Sequence, residues 1–277
     1  MANGDSMRFW ESPHQVSPAF VTADLETGRP APHVHEEWQF AVPEIRSGLS
    51  LGAFRRYPTR DCDVAVVPPY EVHAEGGAIE AAPRWRALYV SPSVLLRLHG
   101  EVTGSGHAAP RFQGSVLQDP AAALELQAVL RAGEEDRIAV EDFETAVLQW
   151  LRQLLRRHAI TAFGTDHSPA VQRARAYLQE RPTHPVTLPE VAAASGLTTC
   201  HLVRSFSRAV GLPPKRYHAQ VRIARAQRLL AEGEPVTRVA YECGFADQSH
   251  LSRSFKESCG VTPRAFQVQI RGTAKLA

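Results

Sequence analysis

Three imidazoles and two basic helix stripes are the residues with chemistry to offer in this chain. His33 and His35 stand in HVHEEWQFAV, and His73 follows in DVAVVPPYEVH. Three imidazoles suffice to ligate a divalent metal, and neutral imidazoles equally orient a polar small molecule by hydrogen bonding. Gln39, four residues after His35, is a poor ligand for such an ion. Glu37 comes one strand repeat earlier. A ligand pocket is therefore expected rather than a metal centre. Its walls would be Trp38, Trp85 and Tyr89, and its orienting groups His33, His35, Glu37, His73 and Arg86. Each of these aromatics would serve equally well as ordinary core.

The second set lies near the other end. Thr199, Cys200, Val203, Arg204 and Ser207 fall along one stripe of a helix whose core positions are Leu202, Phe206 and Val210. Gln248, Ser249, Ser252, Arg253 and Lys256 repeat that stripe beside Leu251 and Phe255. Arg pairs bidentately with guanine and Gln with adenine, and small or apolar groups approach a thymine methyl, so both stripes suit a DNA major groove. A solvated polar face would explain one such stripe; two in register are harder to explain that way.

These stripes belong to a repeated unit. His201, Leu202, Arg204, Ser205, Phe206, Gly211 and Pro214 recur 49 residues later as His250, Leu251, Arg253, Ser254, Phe255, Gly260 and Pro263. Such a register predicts one supersecondary unit used twice. Each copy reads as helix, tight turn, helix. Thr187 and Glu190 form a T-x-x-E capping box, Gly196 and Gly244 permit left-handed turns, and Asp247 caps the second copy's second helix. Between the copies, Lys215 to Gly233 reads as a long amphipathic strut with Val221, Ala224, Leu229 and Leu230 on its apolar side. Eighteen helical residues span about 27 Å. Helix starts near Thr187, Thr198, Val236 and Asp247, with the Arg and Lys between 215 and 228, are expected to hold phosphates.

Charge supports this division. Residues 168–277 carry 16 Lys+Arg against 7 Asp+Glu, and the remainder 15 against 22, within a net charge of +2. A basic half predicts a polyanionic partner. Cys62, Cys200, Cys243 and Cys259 form no C-x-x-C pair, which argues against a structural zinc site or a disulfide framework. No apolar run is long enough to span a membrane, and the first fifteen residues do not read as a secretory signal. A cytoplasmic protein is the expectation.

The stretch VAYECGFADQSHLSRSFKESCGVTPRAF resembles the C-terminal signature of AraC/XylS family transcription regulators, over residues 170 to 270. The resemblance implies two helix-turn-helix units joined by a long helix, with base contacts from Cys200, Val203, Arg204, Gln248, Ser249, Ser252 and Arg253. H-x-H followed by P-P-x-E-x-H resembles the cupin-type effector domain that precedes this module, departing from it at Tyr70, where glycine is common. The fold expected is α+β in two domains. An N-terminal cupin-like β-barrel with helices occupies 1–159, a linker 160–169, and an all-α DNA-binding domain 170–277.

Two segments after the barrel, 120–132 and 141–158, show apolar stripes. In the family such helices pack on the barrel and often form a dimer interface; core packing accounts for the stripes equally well. The reading is a ligand-responsive transcription regulator, an activator in the commoner mode, not an enzyme. Its partners are double-stranded DNA, a small-molecule effector, RNA polymerase and a second copy. The alternative is a metal-dependent cupin enzyme fused to a DNA-binding module, using His33, His35 and His73. An alkyl-transfer repair sensor would need a cysteine cluster ahead of the module, where only Cys62 stands.

Overall fold

The computed structural model describes residues 6–11, 19–24, 32–44, 47–51, 55–75, 84–104, 110–135, 137–160 and 168–273. Its first half is β-rich: β1 (Ser6–Glu11), β2 (Ala19–Asp24), β3 (Trp38–Pro43), β4 (Ser47–Leu51), β5 (Arg55–Thr59), β6 (Val64–Val67), β7 (His73–Glu75) and β8 (Arg84–Val90). Helix α1 (Pro92–Thr103), short strands β9 (Arg111–Phe112) and β10 (Val116–Leu117), helices α2 (Pro120–Glu134) and α3 (Val140–His158), and β11 (Ala159–Ile160) follow. An antiparallel sheet runs β1-β2-β8-β3-β6-β10, a second runs β5-β4-β7, and β11 pairs with β9. An isolated bridge between His33 and His73 joins the approach to β3 with the edge of the second sheet.

The period-two alternation of the strands decides which residues meet. On β3, Trp38, Phe40 and Val42 face the helical layer, packing with Leu95, Leu126, Phe143, Trp150 and Leu154. Ala41 faces the other way, into a cluster with Leu49, Leu51, Ala65, Val67, Trp85 and Ala87 drawn from both sheets. Helix α2 starts on Asp119, whose Oδ1 accepts from Ala122 N at 3.0 Å. The same carboxylate meets His158 Nε2 at 2.7 Å, which ties the end of α3 to the start of α2.

The alternation of HVHEEWQFAV reads as one strand over 33–42 with Val34 and Trp38 on one face, but the strand begins only at Trp38, because the chain bends at Glu36 and Glu37. Val34 and Trp38, expected on one face, therefore enter different cores. Tyr70, at the position where glycine is common in the resembling pattern, has φ +58°, the left-handed region that glycine fills without strain.

The second half is helical: α4 (Pro169–Gln179), α5 (Leu188–Ser195), α6 (Thr199–Val210), α7 (Pro214–Ala231), α8 (Val236–Glu242), α9 (Gln248–Cys259) and α10 (Pro263–Thr273). Most of the expected linker, 161–167, lies outside the described residues; Ile160 pairs with Arg111 in the β11-β9 ladder, and Ser168 caps α4.

Candidate functional site

Each helical pair is set by local chemistry. In the first, Thr187 Oγ1 accepts from Glu190 N and Glu190 Oε2 accepts from Thr187 N at 2.7 Å, the reciprocal capping box expected from the sequence. Gly196 turns left-handed at φ +73°, and Thr198 caps α6. In the second, Gly244 has φ +71°, and Asp247 caps α9 by accepting from His250 N at 2.7 Å. Leu202, Phe206, Leu251 and Phe255 are fully buried, which fixes what each second helix turns outward.

That outward surface is the predicted pair of stripes. Thr199, Cys200 and Arg204 are exposed on α6, with Val203 and Ser207 half-buried beside them. Gln248, Ser249, Arg253 and Lys256 are exposed on α9, with Ser252 half-buried. Among the described residues, Arg204, Arg253 and Lys256 enter no ion pair, so their charge is available to a polyanion.

The strut α7 differs from expectation in how it uses its arginines. Arg222 donates to three carbonyls, Pro182 at 2.8 Å, Gly244 at 2.9 Å and His184 at 3.0 Å. Arg228 pairs with Glu36 at 3.0 Å and Glu232 at 2.8 Å. These two cations are committed inside the protein. Lys215 and Arg216 are exposed and, among the described residues, enter no ion pair.

In the β-rich half, the three histidines converge. The His33 and His73 rings lie 4.2 Å apart between centroids, and those of His35 and His73 4.7 Å. The Tyr89 ring meets His35 edge-on at 5.1 Å. Burial, then the neighbouring charges of His73 and His33, lowers the His35 pKa to about 3, and burial first, then His33, holds His73 well below the usual imidazole range. Both are therefore neutral near pH 7. A neutral His35 has one N–H, which Nδ1 donates to Glu37 O at 2.6 Å. Nε2, 3.1 Å from Gln39 Oε1, is then an acceptor, so the two hydrogen-bond only when the isosteric O and N of that amide are exchanged. Burial first, then Glu36, raises the Glu37 carboxyl to about 7.

Two expected pocket residues are placed elsewhere. Trp38 is on the helical face of β3, stacked at 6.4 Å on Phe40 and edge-on to Phe112 at 5.7 Å. Arg86 stands opposite Val42, on the β8 face that also carries Leu88 and Val90, and pairs with Glu44. Trp85 and Tyr89 do face between the sheets, and the buried Trp85 Nε1 has no hydrogen-bond partner among the described residues. An indole N–H left unpaired in an interior is a donor in want of an acceptor. Gln39 and Tyr70 were not among the expected site residues; the H-x-H-x-x-x-Q spacing and the glycine position were the available signals. Among the described residues, no three His, Cys, Asp or Glu side chains are placed to hold a metal ion.

Comparison with known proteins agrees with this layout. Residues 17–157 match the AraC-like ligand binding domain, and residues 191–269 match a helix-turn-helix domain. The chain is 30% identical over 226 residues to the HTH-type transcriptional regulator YbfI of Bacillus subtilis, covering 78% of this chain and 79% of that one. It is 33% identical over 117 residues to the HTH-type transcriptional activator RhaS of Klebsiella pneumoniae, 42% of each chain. An apo structure of ToxT from Vibrio cholerae superposes with a TM-score of 0.59 at 11% identity, covering 97% of this chain and 100% of that one, a likeness of fold. Two helix-turn-helix units behind a β-rich ligand-binding domain, matched along most of the chain, make this protein a member of the AraC family of transcriptional regulators.

Proposed function

We propose that the protein is a sequence-specific transcription activator whose DNA affinity responds to a small molecule bound between its sheets. The observation that carries this is the pair of outward stripes in matching register on α6 and α9, joined by a strut of 18 residues. In this reading Thr199, Cys200, Val203, Arg204 and Ser207 enter one major groove. Gln248, Ser249, Ser252, Arg253 and Lys256 enter the next, about 34 Å along one face of B-DNA. The effector is held by His33, His35, Glu37 and His73 with Trp85 and Tyr89. Neutral imidazoles at His35 and His73 and an unpaired indole donor favour a polar, hydrogen-bonding ligand.

Residues 1–159 form the effector domain and 170–277 the DNA-binding domain, joined through 160–169. The role is regulatory rather than catalytic, and it is exercised in the cytoplasm. RNA polymerase is the downstream partner, and a second copy docks through α2 and α3. The test is a footprint of the purified protein on DNA flanking its own gene. Protection of two major-groove segments about one helical turn apart is expected; a uniform or absent pattern with the folded protein would reject sequence-specific reading there.

A further inference from the structure

A cavity of about 290 Å³ opens in the helical half, among α4, α5, the strut α7 and the turn of the second unit. None of the proposed effector residues lines it, and neither groove-facing stripe does. Its floor is apolar and buried, with Leu178 of α4 at 2% exposed and Val191 of α5 at 1%. Val186 and Leu188 stand half-buried at its sides. Apolar surface lining an open recess favours an apolar occupant over water. Thr187 and Lys215, both exposed, mark the mouth.

The remaining wall is polar and cationic. Lys215, His218 and Arg222 follow one another at three and four residues, so all three lie along one face of α7. Arg222 gives three of its five N–H groups to carbonyls and, among the described residues, pairs with no carboxylate. Burial holds its pKa below the usual guanidinium value, as expected of a half-buried cation short of a counter-charge. His218 Nε2 lies 2.8 Å from Arg181 O, and a carbonyl only accepts, so Nε2 carries the proton. Burial lowers the His218 pKa, which leaves the ring neutral near pH 7 and Nδ1 a bare acceptor. No Asp or Glu lines the cavity. The Glu190 carboxylate, bonded to Thr187 N at 2.7 Å, adjoins the mouth but is exposed, where solvent screens it.

We infer that this cavity is a second small-molecule site, which takes a monocarboxylic acid with an apolar body, its carboxylate at Lys215 and Arg222 and its body on Leu178, Val186, Leu188 and Val191. Size limits the body. A cavity of about 150 Å³ holds benzene, so about 290 Å³ admits one ring with a short acid chain, or a branched chain of similar bulk. Chemistry selects the charge: a carboxylate only accepts, and both cations only donate. A hydroxyl or N–H on the body would find its acceptor in His218 Nδ1. A phosphate of the DNA backbone would satisfy the cations but leave the apolar floor uncovered, so the small acid is the better occupant. Its walls include Gly244 of the second unit as well as α5 of the first, so an occupant braces the two units beside Arg222. The inference goes beyond the regulator reading and stands independently of it.

The test titrates the full chain with 3-phenylpropanoate by calorimetry, and with 3-phenylpropanamide, which has the same shape and no charge. For a ligand of this size a Kd of about 1 mM or tighter is expected for the acid. The amide should bind about tenfold more weakly, and Lys215→Gln should weaken the acid by a similar factor. Val186→Trp, which fills the cavity, should abolish binding, whereas folded His73→Asn should bind as the wild type does. No saturable binding by about 10 mM, equal binding of acid and amide, or binding that survives both Lys215→Gln and Val186→Trp would each overturn the site. Loss of binding in His73→Asn would also overturn it, by placing the acid between the sheets. Should Val186→Trp not fold, Lys215→Gln and the amide still decide the matter.

Discussion

Arg222 and Gly244 meet at 2.9 Å, the guanidinium of the strut donating to the carbonyl in the turn of the second helix-turn-helix unit. The same guanidinium reaches Pro182 and His184, so one side chain sets the second unit against the approach to the first. A Cβ on Gly244 would stand 2.7 Å from the Thr183 carbonyl, and the left-handed φ of +71° disfavours any side chain there. Gly244→Ala is expected to cost about 1–3 kcal/mol, read as a lowered midpoint in urea unfolding. Arg222→Met leaves three carbonyls without that donor and should cost a similar amount. If the two substitutions add with no coupling, the clamp is not one unit.

On the proposed function, Arg253 reads bases and Lys256 holds the DNA backbone. Arg253→Ala is expected to weaken binding to the preferred site by about 1–3 kcal/mol and to relax preference at one base pair. Lys256→Ala should weaken all sequences alike and reduce the salt slope by about one. Because Cys200 and Val203 are poor hydrogen-bonding groups, Arg253→Ala should change base preference more than Arg204→Ala does. Selection of bound sequences from a random pool checks this, and the reverse ranking would refute it.

The interior imidazoles make stability fall in acid. His35 has a folded pKa of about 3, with burial the main cause, against 6.5 unperturbed, and His73 is shifted the same way. The unfolded chain therefore binds more protons in this window. Stability from His35 is complete above about pH 6.5 and is lost as pH falls toward 3, and that from His73 is lost in the same direction. Glu37, raised from 4.5 to about 7 by burial, acts oppositely, and its contribution declines as pH rises from 4.5 to 7. Comparing His35→Asn with wild type, unfolding midpoints between pH 6.5 and 4 should show a shallower acid decline. An unchanged slope would show that His35 is not the group responsible.

Trp150 fastens the helical layer to itself. Its Nε1 donates to Ala122 O at 2.8 Å inside the core. Trp150→Phe keeps an aromatic ring but removes this second bond to a carbonyl that α2 already uses in its own ladder, an expected loss of about 0.5–1.5 kcal/mol. Chemical denaturation measures it, and a change below about 0.5 kcal/mol would mean that the indole bond adds nothing to the ring's packing.

The helical half was legible because its signals are local. The capping box at Thr187 and Glu190, the glycine turns and the spacing of Leu202 with Phe206 each act within one or two turns of chain. The two later helices were read for the same reason, as 120–132 and 141–158 against Pro120–Glu134 and Val140–His158. Helix α1 was not anticipated, although Ser91 caps it and Pro92 opens it.

What tertiary structure alone decided is which face and which partner. The alternation in HVHEEWQFAV sorted the histidines from the valines, and the strand does begin to alternate toward two cores at Trp38. The bend at Glu36 and Glu37, where Glu36 reaches Arg228, then sends Val34 to the helical half and Trp38 to the layer of α1, α2 and α3. Composition likewise counted Arg222, Arg228 and Arg175 as charge for DNA, whereas distant carbonyls and carboxylates claim them. Sequence specifies what each short segment prefers, through backbone sterics and side chains a few residues apart. The allocation of a buried face or a cation among competing partners depends on contacts far apart in the chain, and folding alone brings those together.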